Sequence, residues 1–150
     1  MVVKMNILYE ILHNKYVIVP FFTWFAIQSF KVIWEFITTK KFNIKRFLGA
    51  GGMPSSHSAL ITSIAVMIGK EAGFGSYQFA LAMIFALIVM YDAAGIRRAA
   101  GNQATVLNKL ISTPGLKGID VQGKLKEALG HTPNQVFVGA IIGIIVGAIF

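Results

Sequence analysis

The sequence predicts an all-α integral membrane protein, a helical bundle of about four transmembrane helices with short amphipathic helices beside them. Hydrophobic side chains make up 55% of the 150 residues, charged side chains only 13%, and the mean hydropathy is +0.67. The apolar runs are continuous, without the alternation that is typical of barrel strands. At about 20 residues for each crossing, the length allows four crossings in a single membrane-embedded domain, residues 1–150.

The first half of the chain contains an interfacial segment, one crossing and a glycine-rich linker. In residues 1–15 the apolar side chains recur at helical spacing, which is typical of an amphipathic segment lying at the membrane interface. The first crossing is expected at 16–37. Residues 40–53 read as a basic, glycine-rich linker, and a second helix is expected at 54–69.

The second half adds a long helical stretch and a loop. The third crossing is expected at 77–91, with the helix continuing towards Leu110 because good helix formers persist. Residues 112–123 read as a loop, since they contain one proline and several glycines, and residues 124–129 read as a short helix.

The last crossing is expected at 132–150. It begins with a capping box and with proline at the first helical position, which together mark a helix start. Gly139, Gly143 and Gly147 repeat every fourth residue along it. Membrane helices approach each other closely along such faces, so this spacing makes a homodimer plausible.

Basic residues indicate the orientation. The net charge is +8, with four basic residues in 40–46 and six in 97–126, whereas 70–76 carries one lysine balanced by a glutamate. The positive-inside rule then puts residues 40–54 and 92–131 in the cytoplasm, with both termini outside. The polar helix ends meet at that face, where anionic headgroups or phosphates are the natural partners.

The sharpest local pattern is a glycine loop that runs into a helix start, GGMPSSHS at residues 51–58. Free backbone N–H groups and the positive end of the helix dipole favour an anion there. Ser55 and Ser56 could donate from their hydroxyls, and His57 could transfer protons near neutral pH. The alternative is that the serines only cap the helix and His57 lies at the water interface.

A second polar cluster, Asp92, Arg97 and Arg98, follows directly on the third apolar run. Paired arginines can clamp a phosphate through several charge-assisted hydrogen bonds, although arginines at this position are also common topology anchors. An acidic group at the border of the hydrocarbon is costly unless it pairs with a base or orients a histidine. Asp92 therefore favours the functional interpretation.

Two more ionisable residues are candidates. His131 precedes a helix N-terminus, where imidazole tends to stay neutral, the form that can attack phosphorus. A lone interfacial histidine often has no role, so the hypothesis depends on the face that it shares with His57. Lys31, near the middle of the first crossing, costs about 2.5–3.5 kcal/mol to insert. Either it lends its charge to a phosphate, or Glu35 at i+4 neutralises it.

Together these motifs resemble the divergent branch of the type-2 phosphatidic acid phosphatase superfamily, whose wider membership includes lipid phosphatases and vanadium haloperoxidases. The similarity covers nearly the whole chain, at residues 26–31, 51–59, 91–101 and 129–133. The resemblance implies that the motif from Pro54 to His57 supplies a hydroxyl, a backbone amide and an acid histidine. Serine stands where the superfamily usually has glycine.

The chain departs from the superfamily pattern at the two other motifs. The first motif, a lysine six residues ahead of Arg-Pro, is not intact, although Lys40, Lys41 and Arg46 lie nearby and Lys31 could take its place. The third motif normally has a histidine six residues after its arginine, and none follows Arg97 or Arg98 at that spacing. His131 is then the candidate nucleophile.

The resemblance implies metal-independent hydrolysis of a lipid-linked phosphate ester in two steps. His131 attacks phosphorus, His57 protonates the leaving oxygen, and Asp92 is counted with these catalytic residues. The phosphate-binding candidates are Ser55, Ser56, Arg97, Arg98, Arg46 and Lys31.

Other functions stay open. A protein could bind or transport a lipid phosphate in the same pocket without cleaving it, and a structural membrane subunit is a third possibility. The expected partner is a membrane lipid phosphate and not a nucleic acid. No metal or other cofactor is implied, since the chain has no cysteine and its three histidines lack ligand spacing.

Overall fold

The protein is a helical bundle, as the sequence predicts. A computed structural model describes residues 2–49, 51–113, 125, 127 and 129–150, and all regular structure within them is helical. The elements are α1 (Val2–His13), α2 (Lys15–Thr39), a 3-10 turn (Ile44–Arg46), α3 (Ser56–Ala72), α4 (Tyr77–Ala94), α5 (Ile96–Ile111) and α6 (Pro133–Ile149). The stretches Lys15–Thr39 and Tyr77–Ile111 are long and apolar enough to cross a membrane. The shorter helix α6 is also apolar.

Local capping sets the helix ends close to the predicted boundaries. The Asn14 side chain accepts a hydrogen bond from the Tyr16 backbone N–H at 2.9 Å and starts α2, which ends where Lys40 adopts a left-handed conformation with φ of 57°. Ser55 caps α3. Thr132 and Gln135 form the predicted capping box at the start of α6.

The predicted continuous helix beyond the third crossing is interrupted at Gly95. Its φ of −102° and ψ of −87° are not helical, and its N–H donates to the Tyr91 carbonyl at 2.8 Å to close α4. The chain then starts α5. The predicted short helix at 124–129 lies largely outside the described residues, and its described positions, Leu125, Glu127 and Leu129, are not helical.

The glycine face of α6 packs against α3 of the same chain. A Cβ atom on Gly139 would lie 2.3 Å from the Ser55 carbonyl oxygen, and one on Gly147 would lie 2.5 Å from the Ser63 carbonyl oxygen. The close approach that the spacing predicts is therefore real, but it is intramolecular. Because α3 occupies this face, the face gives no support to the homodimer inferred from it.

This packing predicts a large effect at Gly143. A Cβ there would lie 2.0 Å from the Thr62 hydroxyl and 2.3 Å from the Ala59 carbonyl oxygen. We expect Gly143→Ala to destabilise the bundle by about 1–3 kcal/mol, as overpacking does. Thermal unfolding in detergent measures the loss. The matched control is Gly75→Ala, whose added methyl group meets no atom within 4 Å. Equal stability of both variants would contradict the packing argument.

Candidate active site

His57 and His131 come together because α3 and α6 pack closely at their N-termini. The Ser55 backbone N–H donates to the Gln135 carbonyl at 3.0 Å, and the His131 backbone N–H donates to the Ala93 carbonyl at 2.9 Å. These bonds join the starts of α3 and α6 to the end of α4. The two imidazole rings lie with their centroids 6.5 Å apart. The convergence that the predicted topology requires is therefore present in the fold.

A small cleft beside the two histidines contains the acidic and basic side chains of the α4–α5 junction. Arg97 Nε donates to Asp92 Oδ2 at 2.5 Å, and both residues line the cleft. Asp92 is therefore paired with a base, and in the described part of the chain it makes no hydrogen bond to either histidine. Asp92 is therefore placed to orient the Arg97 guanidinium. The cleft is lined by His57, Val89, Asp92, Ala93, Arg97, Gly130 and His131.

Lys31 is buried at the level of the site, with 5% of its surface exposed. Its ammonium donates to the Gly51 carbonyl at 3.3 Å. Of the two alternatives for Lys31, neutralisation by Glu35 is not observed, because Glu35 forms an ion pair with Arg46 at 3.2 Å. Among the described residues no carboxylate lies within ion-pair distance of Lys31. A buried ammonium without a counter-charge attracts an anion, because burial strengthens the electrostatic interaction.

Arg46 adds a second cation over the glycine loop. A Cβ on Gly52 would lie 2.0 Å from Arg46 Nη2, and the φ of this glycine, 76°, is one that other residues rarely adopt. Gly52 thus gives the guanidinium room beside the loop. The charges of Lys31 and Arg97 both act on His57. The basic side chains from the first half of the chain and from the α4–α5 junction therefore surround one region.

His131 is held in a defined tautomer by the capping box. Its Nδ1 lies 3.2 Å from Gln135 Oε1, and the same oxygen accepts from the Thr132 backbone N–H at 3.1 Å. The Thr132 donor requires an oxygen at that position, and an amide oxygen only accepts. Nδ1 therefore carries the proton. In neutral imidazole this leaves the lone pair on Nε2, the arrangement that a nucleophile needs.

The protonation of His131 is governed mainly by its surroundings. Burial lowers the pKa of His131 below its usual value of 6.5, and the nearby positive charge of Lys31 lowers it further. The hydrogen bonds that His131 makes with the Gln135 side chain and with the Gly52 backbone oppose this shift. The side chain is therefore neutral at pH 7. This agrees with the sequence-based prediction, although burial and not the helix dipole is the main cause.

The segment before His131 is fixed by Asn108, which sequence analysis had not predicted as a site residue. Asn108 is buried, and its amide donates to the Leu125 carbonyl at 2.8 Å while its oxygen accepts from the Leu125 backbone N–H at 2.9 Å. It also donates to Glu127 at 2.7 Å. Gly101 and Gly130 let this segment pack directly on the α5 backbone. A lone asparagine in a helix gives no sequence signal for such contacts between distant residues.

The remaining predicted site residues, Ser55, Ser56 and Arg98, do not line the cleft. The Ser55 hydroxyl accepts from the Ser58 hydroxyl at 2.9 Å and caps α3, and Ser55 itself is fully buried. Ser55 therefore caps the helix, and its role in phosphate binding stays a prediction. Ser56 is also buried, in the first turn of α3. Arg98 is exposed and does not line the cleft, although its backbone packs against Gly130.

Comparison with known proteins identifies the family. Residues 12–146 match the family model described as "Divergent PAP2 family". The uncharacterized membrane protein YuiD of Bacillus subtilis (strain 168) is 43% identical over 129 residues, which cover 79% of this chain and 82% of the relative. No solved structure gives a significant match. The matched region includes the glycine loop, both site histidines and Lys31, and the protein is thus a membrane protein that belongs to the Divergent PAP2 family.

Proposed function

We propose that the protein hydrolyses a lipid-linked phosphate ester at one membrane face by metal-independent phosphoryl transfer through a phosphohistidine. The observation that carries this proposal is a buried ammonium, Lys31, without a carboxylate partner in the described part of the chain, close to two facing imidazoles. Family membership supports a phosphatase-related role. The apolar helices around the site favour a substrate that resides in the membrane.

The proposed reaction has two steps. Nε2 of neutral His131 attacks phosphorus, the ester P–O bond breaks, and protonated His57 gives its proton to the leaving oxygen. Water then attacks the phosphohistidine while His57 takes a proton from it, which releases inorganic phosphate and free His131. Reacting atoms approach to about 3–3.5 Å. The two ring centroids lie 6.5 Å apart, so both imidazoles are close enough to act on one phosphate ester.

Cations stabilise the charge on the phosphoryl oxygens in this proposal. Lys31 acts from α2 and Arg97 from α5, and Asp92 holds the Arg97 guanidinium in place. Arg46 adds positive charge from the linker. Such preorganised charges stabilise a phosphoryl-transfer transition state without reorganisation during the reaction. We also propose that this face is cytoplasmic, because the basic residues concentrate there.

Release of inorganic phosphate tests the function. Purified protein in nanodiscs is incubated with a polyprenyl phosphate and, separately, with phosphatidic acid, and free phosphate is measured. Release from either substrate supports hydrolysis. A lipid phosphate that stays bound and intact would instead indicate a binding or transport protein. The absence of the usual third-motif histidine favours that second function.

The protonation state of His131 predicts the pH dependence. Only neutral His131 can attack, and burial holds its pKa below 6.5. Because the proposed reaction also needs protonated His57, only the acidic side of the pH profile reports on His131, and there the rate is expected to fall as the pH decreases through the lowered pKa. Initial rates between pH 4.5 and 8 measure this acidic limb. Gln135→Leu removes the hydrogen bond that raises the pKa, so it should move the limb to lower pH. A limb above pH 6.5 would contradict the assignment.

A further inference from the structure

A second cavity, an apolar groove of about 600 Å³, lies between α2 and α6. Every side chain that lines it is apolar. The α2 wall includes Ala26, Phe30 and Trp34, the α6 wall is formed by Val138 and Ile142, and Pro54 closes one end. Phe30 and Trp34 stack on each other along the α2 wall.

The groove runs from the level of the active site into the membrane. Ala26 and Trp34 are eight residues apart on α2, which corresponds to about 12 Å along a helix. Lys31, whose ammonium reaches the glycine loop, lies between these two residues on the helix. On α6, Val138 is one turn closer to His131 than Ile142 is. The long axis of the groove therefore follows the two helices away from the site.

The start of α3 connects the groove with the active site, because Pro54 lines the groove and His57, three residues later, lines the cleft. Pro54 directly precedes Ser55, whose carbonyl packs against Gly139 beside Val138. Lys31 lies on α2 between Ile27 and Trp34, and its ammonium reaches Gly51 at the start of the glycine loop. An anion near Lys31 would thus lie close to one end of the apolar groove.

We propose that this groove binds the hydrocarbon chain of the lipid phosphate whose headgroup lies at the two histidines. This inference rests on the proposed function and specifies how its substrate is held. Lipid chains are as apolar as the groove, so burial alone provides little affinity within a bilayer. The groove acts by packing: it fixes the depth and direction of the chain and so places phosphorus opposite His131.

Fluorescence of Trp34 tests the occupant directly. The chain has two tryptophans, so Trp24→Phe leaves Trp34 as the sole reporter. In nanodiscs of unlabelled phosphatidylcholine, a lipid phosphate with a brominated chain should quench Trp34 at least about twofold more than brominated phosphatidylcholine at the same mole fraction. The phosphate headgroup retains its chain at the groove, whereas phosphatidylcholine mixes freely. Equal quenching by both lipids would overturn the proposal.

Variants that fill the groove provide the second test. Ala26→Phe and Val138→Phe should each abolish the excess quenching and lower the ratio of lipid-phosphate turnover to glycerol-phosphate turnover about tenfold. The matched control is Ile144→Phe, which changes an exposed α6 side chain that does not line the groove. An unchanged ratio in both groove variants would contradict the proposal.

The two proposals can fail separately. If the protein releases no phosphate while the phosphate-dependent quenching of Trp34 persists, that result would contradict the proposed hydrolysis and support binding of the lipid chain in the groove. If phosphate is released and the quenching shows no preference for the lipid phosphate, hydrolysis stands and the groove proposal is wrong. Because Ala26 is exposed, Ala26→Phe does not require repacking of the bundle core.

Discussion

His131→Ala is expected to lower lipid-phosphate turnover by at least about 1,000-fold, because it removes the nucleophile that forms the phosphohistidine. The same change at His57 should also abolish steady-state turnover, since it removes the acid that protonates the leaving oxygen and the base that activates water. Both variants should stay inserted, because each side chain lies at a helix start and outside the two long apolar stretches.

An aryl phosphate distinguishes the two histidines. Its leaving group needs no proton, so His57→Ala should still transfer the phosphoryl group to His131 and release one equivalent of the phenol in a burst. The acid-labile phosphoenzyme should then accumulate, because water is no longer activated. His131→Ala should give neither burst nor phosphoenzyme. Rapid-quench measurement of the phenol and of protein-bound phosphate records both results.

His13→Ala is the matched control for these variants. His13 ends α1, stacks on Tyr9 and hydrogen-bonds to its carbonyl, and it does not line the cleft. Its replacement should leave turnover unchanged. Full activity in both site variants, or a burst from His131→Ala, would end the histidine mechanism.

The second large effect is expected at Lys31. Lys31→Met removes a cation that would bind a phosphoryl oxygen, and we expect at least a 30-fold loss of phosphate affinity. This corresponds to about 2 kcal/mol, typical of a hydrogen bond to a charged group. The melting temperature should stay the same or rise, because the substitution also removes a buried charge whose dehydration is costly. Phosphate titration and thermal unfolding measure the two effects.

Lys45→Met is the matched control for the Lys31 variant. It removes the same charge from the same region of the chain, but Lys45 is exposed in the linker. It should change phosphate affinity only slightly, because an exposed charge is screened by water and salt. If Lys31→Met lowers the melting temperature and leaves phosphate affinity intact, Lys31 stabilises the helical bundle and does not bind phosphate.

The sequence predicts features that depend on neighbouring residues, but it does not predict which distant residues come into contact. The glycine spacing of α6 predicts a close helix contact, but it does not say whether the partner helix belongs to the same chain. Glu35 is well placed on the helix to neutralise Lys31, yet it pairs with Arg46 from the linker. Gln135 is identifiable as part of a capping box, whereas its contact with the His131 ring depends on the rotamers of both side chains.

The sequence by itself determined the membrane character, the helical class, the approximate limits of the main helices and the residues able to bind phosphate. These follow from composition, from periodicity and from capping motifs, which act over a few residues. Only the tertiary structure decided which groups meet: α3 against α6, Lys31 beside the glycine loop, and Asn108 on the segment before His131. The physical reason is that such contacts join positions far apart in the chain, so they depend on helix packing and not on local preference.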